Sequence, residues 1–276
     1  MAKSVRKTLL YIILVIVAAA FLFPVFIVLM NSFKNKLYIS SEPFSFPMGE
    51  SFAGIENYTS GLEKTGFFSA FGWSLFITLG SVLVIVLFSA MTAWYITRVK
   101  SRITSAMYYA FVFSMIVPFQ MVMFSMSKLA NTLRLDNPLG IIVIYLGFGA
   151  GLSVFMFCGF IKSIPLEIEE AAMIDGCGSI RTFFLVVLPI LKPTAITVAI
   201  LNTMWIWNDY LLPYLVIGSE YKTIPIAIQY LKGGYGSVDM GAMMAMLVLA
   251  IIPIVVFYLT SQKYIIKGVV AGAVKG

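Results

Sequence analysis

Residues 170–189 read EAAMIDGCGSIRTFFLVVLP, and they separate two long apolar runs, residues 139–161 and 194–217. The stretch begins with an acidic residue, has Gly176 near its middle and ends in Leu188-Pro189. A hydrophilic segment between lipid-soluble runs is where a membrane protein can meet a water-soluble partner. The stretch therefore predicts membrane helices on either side and a docking element between them.

Composition places the rest of the chain in a membrane as well. Of the 276 residues, 61% are hydrophobic and 11% are charged, and the mean hydropathy is +0.98. These values lie far from those of soluble domains. A helix needs about 20 apolar residues to cross the hydrocarbon core. The sequence predicts an all-α membrane protein, a single transmembrane domain over residues 1–276 with six spans. The predicted spans are residues 9–30, 71–97, 105–127, 139–161, 194–217 and 241–261.

The positions of Lys and Arg predict the orientation, because basic flanks are retained on the cytoplasmic side. With both termini inside, each of the four inside segments carries three Lys or Arg, whereas basic and acidic residues balance outside. This even spread favours topology over nucleic-acid binding as the origin of the +7 net charge. The N-terminus begins like a secretory signal, but its apolar run continues to Met30, which predicts a retained first helix.

The inside segment 162–192 is predicted to form two short helices that meet at an elbow. Pro165 suits a first helical turn, so one helix is expected over about 165–175. Gly176 and Gly178 can adopt the positive φ that ends a helix. Ser179 can then cap a second helix that runs to Leu188.

The first of these helices has the form of a docking surface. Ala171 and Ala172 are small enough to let another protein approach the backbone, and Glu170 projects a charge toward it. Local chemistry alone leaves an ordinary surface loop with a capped helix equally open.

The stretch resembles the EAA loop, the signature of permease subunits in binding-protein-dependent ABC importers. The shared features are Glu170-Ala171-Ala172, a Gly four positions later and Leu188-Pro189 beyond it. Trp207-Asn208-Asp209-Tyr210 followed by Pro213, and the ending GVVAGAVKG at 268–276, resemble the smaller membrane subunit of maltose-type carbohydrate permeases. The resemblance implies the type I ABC importer permease fold in the plasma membrane of a prokaryote.

The resemblance also implies partners and contact residues. The partners are a homologous second permease subunit, a cytoplasmic ABC ATPase dimer and an extracytoplasmic solute-binding protein. ATP and Mg²⁺ would be bound by that ATPase, so we expect no cofactor, no metal and no catalytic residue in this chain. In agreement, the sequence has no GxxxxGK[ST] loop. The outside segment 218–240 could reach the solute-binding protein or be a plain connector. The implied ATPase-coupling residues are Glu170, Ala171, Ala172, Asp175, Gly176, Leu188 and Pro189, and the implied C-terminal ATPase contacts are Gly272, Lys275 and Gly276.

A candidate translocation path lies in the fifth predicted span. Asp209 is the one Asp, Glu, Lys or Arg within the spans, and an intramembrane charge is costly enough to suggest function. Asn202, Trp205 and Asp209 share a helix face, and Pro213 frees the carbonyl of Asp209 and favours a kink. Helix packing by these polar residues is an equal alternative. With a second polar site beside Pro118, the candidate path residues are Gln120, Asn202, Trp205, Asn208 and Asp209.

Together these features predict a transport subunit and not an enzyme. It would move a sugar, such as an oligosaccharide, by alternating access, while the partner ATPase supplies the energy. In maltose-type importers the larger partner subunit holds most of the bound sugar. A permease for a polyol or glycerol phosphate is one alternative. An ion-driven secondary transporter is another, although it would bury several ionisable residues along its pathway.

Overall fold

The computed structural model describes residues 2–231 and 239–273, and most of them are helical. The helices are α1 (Ala2–Asn31), α2 (Lys36–Ser41), α3 (Glu56–Thr65), α4 (Phe67–Arg98), α5 (Arg102–Ser114), α6 (Phe119–Thr132), α7 (Pro138–Ile161), α8 (Leu166–Ile174), α9 (Ser179–Thr182), α10 (Leu188–Ile190), α11 (Lys192–Asn208), α12 (Leu211–Val216), α13 (Ile224–Gln229) and α14 (Met240–Ala273). A π-helix, Phe183–Val187, joins α9 to α10.

Four helices are long and apolar enough to cross a membrane within the described part of the chain. They match the predicted spans 9–30, 71–97, 139–161 and 241–261, and up to six spans result if each of two bent helix pairs counts as one. The pair α5 and α6 bends by 108°, and the helix Ser179–Ile190 bends by 77° against α11.

Two predicted spans are not straight helices, and each break has a local cause. The predicted span 105–127 contains Pro118, and the helix stops at Ser114 and restarts at Phe119. Pro118 has no N–H to donate and disfavours helical backbone before it, which explains the break. The span 194–217 ends its first helix at Asn208, because Asp209 is extended, with φ −74° and ψ 126°. The break therefore lies at Asp209, the residue whose carbonyl Pro213 leaves without a helical N–H donor, as the sequence predicted.

The chain forms two compact units, of which the first comprises residues 1–70 and 227–253. In this unit the segment 31–69 is rich in Pro, Ser and Gly, yet it is not an irregular loop. It contains α2, a 3₁₀ turn and α3, and a β-bridge joins Lys34 to Phe52. The Asn57 amide donates to the Ser32 carbonyl at 2.8 Å and to the Lys34 carbonyl at 2.9 Å.

Lys34 is the centre of this folded segment, because its side chain is fully buried. Its ammonium group donates to the carbonyl oxygens of Glu42 and Ser45, both at 2.7 Å. Burial lowers the pKa of Lys34 against the opposing attraction of the Glu42 charge. The backbone carbonyls offset the cost of burying the cation, which closes the segment around one side chain.

The second unit comprises residues 71–226 and 254–276, and its core surrounds α7. Tyr145, Phe157 and Ile161 of this helix are fully buried, and α7 packs against α5 and α11. Gly149 permits the close packing, since a Cβ there would lie 2.6 Å from Ile85 Cδ1. One candidate site includes Tyr145 near the start of α7, and the other lies in the inside segment that follows the end of α7.

Candidate functional site

The inside segment forms the predicted helix, turn and second helix. The first helix is α8, preceded by Pro165, and Gly176 ends it with a φ of +85°. A positive φ carries no steric cost for glycine, which explains the glycine at this turn. Gly178 has a φ of −70° and therefore does not need to be glycine for its conformation.

The second helix begins and continues differently from the prediction. Ser179 is the first helical residue and makes no side-chain cap, because Gly178 occupies the capping position. The helix also passes through the π-helical turn and extends to Ile190. Pro189 explains the π turn: it cannot donate to the carbonyl of Leu185 and its ring crowds that carbonyl, so the preceding turn widens.

Glu169 anchors α8 to the end of α4. Its side chain is 2% exposed, and its Oε1 accepts from Arg98 Nη2 at 2.6 Å and from Arg98 Nε at 2.9 Å. Trp94 Nε1 donates to Oε2 at 2.8 Å, so both carboxylate oxygens are satisfied. Arg98 Nη2 also donates to the carbonyl of Ile164 at 3.0 Å, just before α8. Charge-assisted bonds of this kind are stronger than neutral ones.

The same contact reaches the second helix. The ring centroid of Trp94 lies 5.6 Å from that of Phe183, the first residue of the π-helical turn, and Phe183 is buried. We call Trp94, Arg98, Glu169 and Phe183 the anchor cluster. It ties the end of one long apolar helix to both arms of the elbow.

The predicted coupling residues divide into exposed and buried ones. Glu170, Ala171, Asp175 and Pro189 are exposed, whereas Ala172 is buried. Ala172 was expected to offer its backbone to a partner, but it faces the chain's own helices. Its small side chain lets α8 pack against α9 and the π-helical turn. Leu188 is half-buried.

Sequence reasoning assigned the anchor cluster other roles. Arg98 is one of the basic residues that predict the orientation, and nothing in the sequence indicates that it pairs with Glu169. The available signal was Trp94, whose indole N–H needs an acceptor when it is half-buried in an apolar run. Its acceptor lies on an inside segment two spans farther along the chain and could not be identified from spacing.

The second site surrounds Asp209 at the break between α11 and α12. Asp209 Oδ1 accepts from the backbone N–H of Leu211 at 3.0 Å and of Leu212 at 3.4 Å. Its Oδ2 accepts from the Tyr145 hydroxyl at 3.1 Å. The Tyr145 ring packs edge-on against Trp205, with centroids 5.4 Å apart. Tyr145 was missed because nothing in the sequence distinguishes one tyrosine of an apolar helix from the others.

The other candidate path residues do not join this cluster. The Asn202 amide is buried and donates to the Val198 carbonyl at 2.8 Å and to Ser153 Oγ at 3.3 Å, so it holds α11 to α7. Asn208 is exposed and donates to the carbonyl of Met204 in its own helix at 2.7 Å. Gln120 is exposed in the first turn of α6.

Two groups of predicted contacts extend beyond the described residues. Lys275 and Gly276 lie outside them, and Gly272 falls within the backbone bounds of α14. Of the outside segment 218–240, residues 232–238 also lie outside them. The described part includes α13, whose Ile224 and Ile226 are buried, so this part folds back into the protein.

Comparison with known proteins identifies the family. Residues 85–270 match the model of the binding-protein-dependent transport system inner membrane component. The probable starch degradation products transport system permease protein AmyC of Thermoanaerobacterium thermosulfurigenes is 38% identical, with 98% of each chain covered. The multiple sugar-binding transport system permease protein MsmG of Streptococcus mutans is 34% identical, with 96% of each chain covered. The melibiose/raffinose/stachyose import permease protein MelC of Bacillus subtilis is 32% identical over 100% of this chain and 99% of its own.

Solved structures agree on the fold. A chain of a bacterial ABC transporter involved in the import of the acidic polysaccharide alginate superposes with a TM-score of 0.77 at 20% identity. The alignment covers 96% of this chain and 98% of that one. This likeness concerns the fold, while the sequence match over residues 85–270 carries the family assignment. The chain is a membrane protein that belongs to the binding-protein-dependent transport system inner membrane components, which are transport subunits and not enzymes.

Proposed function

We propose that this chain is one permease subunit of an ATP-driven sugar importer in the plasma membrane of a prokaryote, with an oligosaccharide as its solute. In this proposal the chain crosses the membrane six times with both termini inside, and each bent helix pair forms one of the six spans. It works with a homologous permease subunit, a cytoplasmic ATPase dimer that binds ATP and Mg²⁺, and an extracytoplasmic solute-binding protein. The named relatives are permeases for sugars and oligosaccharides, which favours this solute class over a polyol or glycerol phosphate.

The anchored elbow is the observation that carries the proposal. Glu170 is exposed on α8 while its neighbour Glu169 is buried against Arg98. One face of the helix is thus free for the ATPase, and the other is fixed to α4. In this proposal Glu170, Ala171 and Asp175 contact the ATPase, and Gly176, Leu188 and Pro189 shape the elbow.

The anchor cluster gives the movement of the ATPase a route into the membrane helices. A displacement of α8 acts on Arg98 and Trp94 through the Glu169 carboxylate, and a displacement of the second helix acts on Trp94 through the Phe183 ring. Both contacts end on α4, one of the long apolar helices. A rigid contact of this kind transmits displacement because packed interiors resist deformation. The C-terminal residues Gly272, Lys275 and Gly276 are proposed as a further ATPase contact.

Trp205 and Asn208 are the residues of this chain best suited to face the solute path. The Trp205 ring is 40% exposed beside the break at Asp209. An aromatic face can stack on a sugar ring, and the exposed Asn208 amide can bond hydroxyl groups. In this proposal Asn202 and Asp209 position these two residues and do not contact the solute. Gln120 is the candidate path residue on α6.

The test uses the assembled importer. The chain is co-expressed with candidate ATPase and permease partners, and uptake and ATP hydrolysis are measured in proteoliposomes with sugar-loaded binding proteins. Glu170→Lys is expected to lose the co-purifying ATPase and all uptake while the chain remains folded. Glu63→Lys, a charge reversal at an exposed glutamate of α3, is the matched control and should retain the ATPase. Normal coupling in Glu170→Lys would show that the docking assignment is wrong.

A further inference from the structure

A basic pocket opens beside the anchor cluster, and the docking role of α8 does not use it. Its volume is about 880 Å³, and it lies between the end of α4, the start of α5 and the end of α7. Twelve residues line it: Ile96, Thr97, Lys100, Ser101, Arg102, Thr104, Ser105, Ala106, Tyr108, Tyr109, Cys158 and Lys162.

The charge of this pocket is entirely of one sign. Lys100, Arg102 and Lys162 are exposed, and no carboxylate belongs to the lining. None of the three forms an ion pair with another residue in the described ranges 2–231 and 239–273. The nearby Glu169 carboxylate is already occupied by Arg98. Lys162 Nζ lies over the Tyr108 ring, 5.4 Å from its centroid, which holds one of the cations at the pocket wall.

The depth of the pocket points to a lipid. Two long apolar helices end beside it, α4 at Arg98 and α7 at Ile161. The pocket therefore lies at the boundary between hydrocarbon and water. Ile103 in the first turn of α5 and Tyr109 farther along the same helix are exposed and offer an apolar surface for acyl chains, and Tyr109 also lines the pocket. Tyrosine is enriched at this depth of a membrane because its ring is apolar and its hydroxyl is polar.

We propose that this pocket binds the headgroup of an anionic phospholipid. The three cations would neutralise the phosphate, the Ser and Tyr hydroxyls would donate to its oxygens, and the acyl chains would lie along Ile103 and Tyr109. Basic pockets between membrane helices bind anionic headgroups in this way. This proposal rests on the proposed function in one respect: the proposed orientation of the spans places the pocket in the inner leaflet. Its position beside Arg98 would place a lipid next to the anchor cluster.

The experiment measures lipid binding without sugar or ATP. The purified and delipidated full-length chain is titrated with dioleoyl phosphatidylglycerol or dioleoyl phosphatidylcholine, and bound lipid is counted by native mass spectrometry. Changing Lys100, Arg102 and Lys162 together to Gln should weaken phosphatidylglycerol binding at least about ten-fold, since each basic residue near an anionic surface contributes to attraction. Phosphatidylcholine binding should not change. Arg102→Gln alone should show a smaller loss, which covers the case that the triple variant fails to fold.

A matched control changes Arg6, Lys7 and Lys192 to Gln, which removes three positive charges at the same proposed face. Equal loss of phosphatidylglycerol in this control, or no loss in the pocket variants, would overturn the proposal. Displacement of the lipid by excess inorganic phosphate would assign the pocket to a free anion instead. Displacement by the ATPase subunit would assign it to a protein contact. If the chain imports no sugar but still binds phosphatidylglycerol selectively, the proposed function is wrong and the proposed lipid site is not.

Discussion

Glu169 and Asp209 are two acidic residues in one compact unit, and the protein satisfies them in different ways. Glu169 has a cationic partner and a neutral one, both on α4, a helix distant in sequence. Asp209 is held by the Tyr145 hydroxyl and by two N–H groups immediately after it in the chain. The first carboxylate joins separate elements by charge. The second has only neutral donors, and two of the three lie in the chain segment that immediately follows it.

This difference indicates which site carries movement and which sets a local shape. An ion pair between two elements resists their separation, so Glu169 and Arg98 transmit displacement. A carboxylate that bonds the N–H groups of Leu211 and Leu212 fixes a helix start, whether or not other elements move. Breaking the first site should therefore affect the whole unit, and breaking the second should affect the segment near Trp205.

The largest effect is expected from Glu169→Leu. The change leaves the Arg98 guanidinium and the Trp94 N–H without their acceptor, and removing one member of a buried pair costs about 3 kcal/mol. Thermal unfolding of the purified complex should show the loss, together with reduced stimulation of ATP hydrolysis by the loaded binding protein. Glu167→Leu, at an exposed position of the same helix, should change stability by no more than about 0.5 kcal/mol. Similar unfolding temperatures for the two variants would contradict the anchor.

A charge swap distinguishes attraction from shape at the same site. Arg98→Glu combined with Glu169→Arg restores opposite charges, although the Trp94 N–H and the Ile164 carbonyl then face the wrong groups. We expect the double variant to be more stable than the sum of its single changes by about 1 kcal/mol, as coupled residues show. A double-mutant cycle on thermal stability measures this energy. A cycle that closes at zero would mean that the ion pair contributes nothing.

The helices were predictable from the sequence to a much greater extent than the contacts between them. Apolar length predicted the helices that contain residues 9–30 and 139–161, and Gly176 was predicted at the turn that its positive φ now explains. The two breaks differ in what causes them. The break before Pro118 follows from the local backbone, whereas the break at Asp209 also involves a contact with Tyr145. Glu170 was identified as exposed, but its neighbour Glu169 was not recognised as the anchor. Its partner is distant in sequence, and local periodicity carries no information about it.

At Asp209, removing the charge should destabilise the protein less than removing the side-chain oxygens. Asp209→Asn keeps an acceptor for the Leu211 N–H, so it should cost about 1 kcal/mol and leave uptake close to that of the unchanged protein. Asp209→Leu removes the helix-start bonds and leaves the buried Tyr145 hydroxyl without its partner, which should cost about 2–3 kcal/mol. Thermal unfolding and sugar uptake are compared for both variants. Loss of uptake in stable Asp209→Asn would show that the charge itself acts on the solute path.

The smallest effect is expected from Tyr145→Phe. It removes the hydroxyl that donates to Asp209 but keeps the ring that packs against Trp205, so no cavity forms. Because a single hydrogen bond contributes about 1 kcal/mol, thermal unfolding should shift only slightly. Tyr109→Phe, at an exposed position, is the control and should shift less. Should Tyr145→Phe destabilise the protein as strongly as Glu169→Leu, the contrast between the two carboxylates would fail, because the neutral bond would then hold the unit together as firmly as the ion pair.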